Sequence, residues 1–153
     1  TFWWLVGRHV DVESVIEQHH PDLPRYVTLP EHVLSDLGTL VGTIVVEGTI
    51  NGVDLGRRGM KRWGPEKPGI WFFEVPKPVW TKAGLAVGDR VRVRLRRASE
   101  ELPVEMSRIL AESSSARDRW DRMTPGQKRR LREDVLSART REARMRRARK
   151  GIL

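Results

Sequence analysis

A strict alternation of arginine with an apolar residue runs from Arg90 to Arg96. Val91, Val93 and Leu95 fall on one side of this pattern, and four arginines fall on the other. Period-two alternation predicts a β-strand with one buried face and one solvent-facing arginine stripe. Outward charges also keep a sheet in solution and protect its edges, so the stripe by itself does not indicate a binding surface.

This strand ends a longer pattern that begins at Trp71. The run from Trp71 to Val75 is apolar and aromatic, which favours a strand, and two prolines then end it. A one-turn helix through Trp80 follows, ends at Gly84 and leads through a Gly-Asp turn into the alternating strand. Residues 71–93 are therefore predicted to form one unit of strand, short helix, turn and strand.

An earlier segment, residues 25–47, repeats this unit when the chain is displaced by 46 positions. Prolines and glycines constrain backbone geometry, so their coincidence indicates an internal duplication. After the last matched valine, the buried positions of the two segments are out of step by one residue. Either a β-bulge or the end of the similarity explains this shift. The matched positions are Pro30 and Pro76, Val33 and Val79, Gly38 and Gly84, Val41 and Val87, Gly42 and Gly88, and Val45 and Val91.

The rest of the first hundred residues adds further predicted elements. Residues 2–6 are apolar and aromatic and predict an edge strand, while apolar residues at helical spacing predict a short helix at 12–18. Asn51-Gly52 lies between apolar residues and predicts a two-residue hairpin turn that joins a strand at 43–50 to its partner at 53–60.

Residues 61–69 are predicted to form a loop in which basic residues flank Trp63. Arg57, Arg58 and Arg62 accompany this tryptophan, and together they are the candidate nucleic-acid contacts of the first domain. A cation beside an exposed aromatic ring suits a nucleic-acid backbone and a stacked base. The alternative is a turn whose tryptophan folds back over the barrel, because large aromatic side chains are usually mostly buried.

The sequence contains no Walker-type phosphate loop, no Gly-x-Ser-x-Gly elbow, no His-Glu-x-x-His helix and no Gly-x-Gly-x-x-Gly fingerprint. It has no cysteine, which excludes disulfides and thiol chemistry. His19-His20 lacks a third ligand at suitable spacing, so no metal and no cofactor is predicted. Trp71, Phe73 and Trp80 are candidate lining residues of a ligand pocket, although small barrels are normally filled by their own side chains.

The C-terminal third is helical and strongly basic. A helix begins at Pro103, serines at 113–115 break it, and Thr124-Pro125 is a favourable start for another helix. That helix is expected to run without a break over 125–150. Between 117 and 150, fourteen Lys/Arg stand against five Asp/Glu, so this segment accounts for the net charge of +9. The candidate nucleic-acid contacts here are Arg129, Arg130, Arg132, Arg144, Arg146, Arg147 and Arg149.

The pattern Pro…Gly-Leu…Val-Gly-Asp-x-Val-x-Val, at 76–93, resembles the half-barrel unit of AbrB- and MazE-type proteins. The motifs at 116–125 and 142–147 resemble a YdeI/OmpD-associated, bacteriocin-protection region of small bacterial barrel proteins. This resemblance implies a double-split, pseudo-two-fold β-barrel. Because both half-units lie in one chain, the barrel is expected to be monomeric.

These observations predict an α+β chain: a small closed β-barrel over 1–98, followed by a helical basic tail over 102–153. The leading function hypothesis is a non-enzymatic binding module whose basic helix contacts nucleic acid or a ribonucleoprotein. One alternative is a stress-protection factor whose tail meets an acidic protein or anionic lipid, and another is a ligand-binding or catalytic barrel. No apolar run is long enough to cross a membrane, so the expected location is the cytoplasm.

Overall fold

The computed structural model describes residues 8–153, which form two compact units. One unit extends to Ser99, and the other comprises Glu100–Leu153. The edge strand predicted at residues 2–6 lies outside the described residues.

Within residues 8–99, six antiparallel strands build the first unit in the order β1-β6-β3-β4-β5-β2. After β1 the chain bridges to β2, because the backbone amides of Glu17 and Tyr26 each donate to the other's carbonyl at 2.9 Å. The sheet is therefore a nearly closed barrel. Its strands are β1 Val10–Val15, β2 Arg25–Pro30, β3 Ile44–Ile50, β4 Val53–Gly64, β5 Lys67–Val75 and β6 Arg90–Arg97.

The two repeated segments have the same order of elements. The first is β2, a 3-10 helix at Glu31–Leu37 and β3; the second is β5, α1 at Lys77–Ala83 and β6. Each strand pairs with its counterpart, β2 with β5 and β3 with β6, both antiparallel. Gly38 and Gly84 follow the two helices with φ of 86° and 67°, a conformation in which glycine carries no steric penalty.

The alternating segment forms β6 as predicted. Val91, Val93 and Leu95 are buried, whereas the intervening arginines are exposed or half-buried. The inward residues of the other strands complete one hydrophobic core, because successive side chains of a strand point to opposite faces. Its largest fully buried members are Trp71, Phe73, Ile16, Leu29, Leu34, Ile44, Ile50, Leu55, Met60 and Leu95.

The prediction of a helix at 12–18 was wrong, because Val10–Val15 is strand β1. β1 pairs with β6 in a register that places Asp11 opposite Arg94 and Glu13 opposite Arg92. Asp11 accepts from both arginines at 3.0 Å. These cross-strand ion pairs and the ladder decide the conformation, since residues at 10–16 fit a period of two as well as a helical one.

The predicted hairpin at Asn51-Gly52 is confirmed, with φ of 47° and 79° at the two positions. The loop predicted at 61–69 was wrong in its extent. β4 continues to Gly64, only two residues form the turn, and β5 begins at Lys67. Cross-strand pairing of Lys61 with Phe72 extends the hairpin beyond the point at which proline and glycine suggested a loop.

Four helices build the second unit: α2 Val104–Glu112, α3 Ser114–Asp121, α4 Pro125–Ser137 and α5 Arg141–Ile152. The uninterrupted helix predicted over 125–150 was wrong. Ala138 is extended at ψ 137°, and Thr140 caps α5 by accepting from the Ala143 amide. The Thr124 cap of α4 is confirmed as a capping box with Gln127.

α5 packs against each of the three other helices. The break lets α5 fold back beside α4, so that apolar residues of both helices share a core with α2 and α3. α5 approaches α4 closely at Gly151, where an added Cβ would displace the Leu131 side chain. The buried core residues are Met106, Ile109, Leu110, Ala116, Val135, Ala148 and Ile152.

Candidate functional site

The two last helices form a basic hairpin, defined here as residues 125–152. It contains eleven Lys/Arg and three Asp/Glu. Like charges at neighbouring positions of a helix destabilise it, and a surface with this excess attracts polyanions. The individual contacts of these cations therefore distinguish those that hold the fold together from those that face solvent.

Arg144 is held inside the helical unit. Its Nε donates to Glu105 Oε1 at 2.7 Å, and its Nη1 donates to the Ala138 carbonyl at 3.2 Å. The Glu105 side chain is only 9% exposed. The hydrogen bond from Arg144 outweighs the opposing effect of burial and lowers the pKa of Glu105 below its ordinary value. Arg144 thus joins α5 to α2.

Two further predicted contact residues also have partners within the unit. Arg147 Nη1 donates to the Asp134 carbonyl at 2.8 Å and to Ser137 Oγ at 2.7 Å, which ties α5 to the end of α4. Arg132 Nε pairs with Glu133 at 3.2 Å, and its side chain is only 11% exposed. Arg132, Arg144 and Arg147 are therefore structural residues of this unit.

The other four predicted contacts are different. The side chains of Arg129, Arg130, Arg146 and Arg149 make no hydrogen bond or ion pair within residues 8–153, and all but the half-buried Arg129 are exposed. Three more exposed cations of the hairpin were not among the predicted contacts, although they belong to the same charge run. They are Arg139, Arg141 and Lys150.

Arg146, Arg149 and Lys150 share one face of α5, because residues three and four apart are neighbours on a helix. This face points away from the buried Ala148 and Ile152. The core-facing side of α5 thus holds the helix in place, and the opposite side presents three cations to solvent.

Two of the three arginines predicted as contacts on the barrel have partners of their own. Arg57 Nη2 donates to the Ser99 carbonyl at 2.6 Å. Arg62 Nη2 lies 2.7 Å from Glu31 Oε1, and the Arg62 guanidinium is 4.6 Å from the centre of the Trp71 ring. Hydrogen bonds from Arg62 and Trp71 lower the pKa of Glu31. Arg58 has a buried Nε, which finds no hydrogen-bond partner in the part of the chain described.

Trp63 folds against the outer face of the barrel. Its ring centre lies 5.1 Å from that of Tyr26 and 5.1 Å from that of Phe72. Lys67 Nζ is 4.5 Å from the centre of the Trp63 ring. Trp63 does not share a surface patch with Arg62, because alternation along β4 directs neighbouring side chains to opposite faces.

Sequence reasoning missed Tyr26 and Phe72 as neighbours of Trp63. Phe72 lies between Trp71 and Phe73, both of which are fully buried, so strand alternation places it on the outer face. The same alternation places Tyr26 outside next to the buried Val27. The period of two in the sequence indicated that both side chains face outward, but it did not indicate which strands lie side by side.

The candidate ligand-pocket residues belong largely to the core. Trp71 and Phe73 are 0% exposed and pack among the other core side chains. Trp80 is half-buried, and the Arg25 guanidinium covers its ring at 3.7 Å. The inward aromatic residues therefore fill the barrel.

In residues 8–153, no group of three or more His, Cys, Asp and Glu side chains is placed to hold a metal ion. His20 Nδ1 lies 3.7 Å from Asp22 at the surface. None of the helices in this range combines the length and the apolar composition that a membrane crossing requires.

Comparisons with protein-family models, with curated proteins and with solved structures find no match to this chain. The resemblance to AbrB-type barrels and to the YdeI/OmpD-associated region therefore stays a prediction.

Proposed function

We propose that this chain is a cytoplasmic, non-enzymatic binding module that contacts nucleic acid through the basic hairpin. The observation that carries the proposal is the division of its arginines. Three of them are used inside the helical unit, and eight cations of the hairpin have no ion pair among the described residues. These eight are Lys128, Arg129, Arg130, Arg139, Arg141, Arg146, Arg149 and Lys150, of which Lys128 lies over the Trp120 ring.

Phosphate contacts explain why so many unpaired cations are kept on a folded surface. Their mutual repulsion costs stability in the free protein, and an anionic polymer relieves that repulsion on binding. Each cation that neutralises a phosphate also releases condensed counterions, so that affinity falls steeply with salt. Because Arg144 and Arg147 hold α5 in place, the cations of its outer face have a fixed arrangement.

The test measures binding of the full chain to duplex DNA and to duplex RNA by fluorescence anisotropy at several salt concentrations. The variant replaces the outer face of α5: Arg146→Gln, Arg149→Gln and Lys150→Gln. We expect wild-type affinity to fall with salt by about 0.9 log units per tenfold change for each phosphate neutralised on B-DNA. In the variant this slope should decrease by up to that amount per lost contact.

A matched control removes three unpaired barrel cations, Lys77→Gln, Lys82→Gln and Arg90→Gln, which are exposed outside the hairpin. Both variants lose the same charge, so a purely non-specific attraction would weaken equally in the two. Equal weakening, or absence of wild-type binding at low salt, contradicts the proposal. Binding to an acidic polypeptide or to anionic vesicles in place of nucleic acid would favour the stress-protection alternative.

We also propose that the barrel has the double-split, AbrB-like topology. The pairing of β2 with β5 and of β3 with β6 supports it, because a two-fold relation exchanges the two repeated units. The same relation exchanges β1 with β4: β1 lies beside β6, and β4 lies beside β3. The positive φ values at Gly42 and Gly88, 64° and 95°, extend the correspondence to the turns.

A further inference from the structure

A surface groove of about 340 Å³ lies on the outer face of the barrel, where β2, β4 and β5 are neighbours. Tyr26, Trp63 and Phe72 contribute one ring each, and the three ring centres are 5.1 to 6.3 Å apart. The exposed Leu23 and Pro24 continue the apolar lining. Neither the basic hairpin nor the proposed nucleic-acid contact involves this groove.

The three rings are not needed to fill the barrel. All three are half-buried, and none belongs to the hydrophobic core cluster. Contiguous aromatic side chains on an outer sheet face expose apolar area to water and do not stabilise the core by packing in it. Such a patch, when polar residues surround it, typically marks an interaction site.

The charged side chains that line the groove are acidic. Glu66 and Glu74 are both exposed, and neither has an ion pair within the described residues. Lys67 and Lys61 lie near the Trp63 and Phe72 rings, at 4.5 and 5.6 Å from their centres, but they do not line the groove. A nucleic-acid backbone placed here would bring its phosphates toward two carboxylates. A cationic side chain would instead meet carboxylates and ring faces together.

The Tyr26 hydroxyl adds a polar group to this lining. Burial, and to a smaller extent the nearby Glu17 carboxylate, raises the pKa of Tyr26. A tyrosine phenol is protonated at neutral pH in any case, so this hydroxyl can donate a hydrogen bond to a backbone carbonyl. Aromatic grooves with a hydroxyl donor and flanking acids suit proline-containing extended segments with a basic residue.

We infer that this groove binds an extended segment of a partner protein. A proline or another apolar residue of that segment lies against Trp63, and a Lys or Arg side chain pairs with Glu66 or Glu74. The carboxylates select a cationic partner, although the chain as a whole carries a net charge of +9. The inference is independent of nucleic-acid binding by the helical unit.

The test uses the full chain and a short synthetic peptide in which proline alternates with arginine. Binding is followed by NMR, with the Trp63 indole resonance assigned by comparison with Trp63→Phe. We expect this resonance to shift on titration with the peptide. Substitution of Glu66→Lys with Glu74→Lys should weaken binding at least tenfold, because the groove then repels the arginines.

A control with the same charge change uses Asp36→Lys and Glu112→Lys, which are exposed acids outside the groove. This variant should bind the peptide nearly as tightly as the wild type. The inference is overturned if a glutamate-containing version of the peptide binds equally well or if the peptide does not bind at millimolar concentration. It is also overturned if oligothymidylate shifts the Trp63 resonance and the peptide does not, since the rings would then stack nucleobases.

Discussion

Arg144 of α5 and Glu105 of α2 form an ion pair of 2.7 Å in which the carboxylate is largely buried. The pair connects residues 39 positions apart and fixes the last helix against the first helix of its unit. A residue that the charge pattern assigned to a partner is therefore a structural residue. On α5, the cations without an ion pair within the described residues include Arg146, Arg149 and Lys150 on the opposite side of the helix.

Removing one member of this pair should destabilise the helical unit. In Arg144→Ala the Glu105 carboxylate stays buried but loses its main hydrogen-bond donor. We expect the free energy of unfolding to fall by about 1–3 kcal/mol. Hydrogen exchange of the α2 and α5 amides measures this loss locally. Arg149→Ala, at an exposed position of the same helix, is the control and should change amide protection little.

The same carboxylate predicts an acid-sensitive helical unit. The folded-state pKa of Glu105 lies below its ordinary value of 4.5, so the unfolded state takes up the proton first as pH falls. The pair contributes its full stabilisation at pH values above the ordinary pKa, and this stabilisation is lost as the pH falls through the lowered folded-state pKa. Denaturant unfolding from pH 7 to pH 3 should show a smaller pH dependence in Glu105→Gln than in the wild type. Identical slopes would exclude this role of Glu105.

Val91→Asp should unfold the barrel, because it places an unpaired carboxylate at a buried position of β6. We expect a loss of about 4 kcal/mol or more, which thermal unfolding of the purified protein measures. Arg90→Gln is the matched control, since Arg90 is exposed and its side chain has no ion pair among the described residues. Arg92 is unsuitable, because it pairs with Asp11 and Glu13. Equal damage from Val91→Asp and Arg90→Gln would show that the two faces of β6 are assigned wrongly.

Gly48 is required for a backbone contact between β3 and β6. A Cβ at this position would overlap the carbonyl oxygen of Arg94, which is main chain and cannot rotate away. Gly48→Ala should therefore destabilise the barrel by about 1–3 kcal/mol or more in denaturant unfolding. At Gly59 a Cβ would meet only the Thr43 side chain at 3.4 Å, so Gly59→Ala should be much milder.

The barrel should be monomeric, because one chain supplies both strand–helix–strand units and the strands that join them. Multi-angle light scattering of the full chain should give the mass of a single copy, 17.7 kDa. A dimer that separates only on unfolding would indicate exchange of strands between two chains.

Local sequence patterns were sufficient where one periodicity or one turn geometry had no competitor. The arginine alternation at 90–96, the Asn51-Gly52 turn and the Thr124 cap depend on neighbours in the chain, and each formed as predicted. The repeat of prolines and glycines likewise predicted two similar units, because those residues restrict the backbone whatever surrounds them.

Tertiary structure decided the features that depend on distant partners. β1 is a strand because β6 provides hydrogen-bonding partners for its backbone and arginines for its acidic side chains. The hairpin of β4 and β5 is longer than its prolines suggested because pairing across the two strands continues beyond them. α4 and α5 are separate helices because folding back buries Val135, Ala148 and Ile152 together. The sequence shows how many arginines the hairpin has, but which of them are paired depends on where the acids of other helices lie in space.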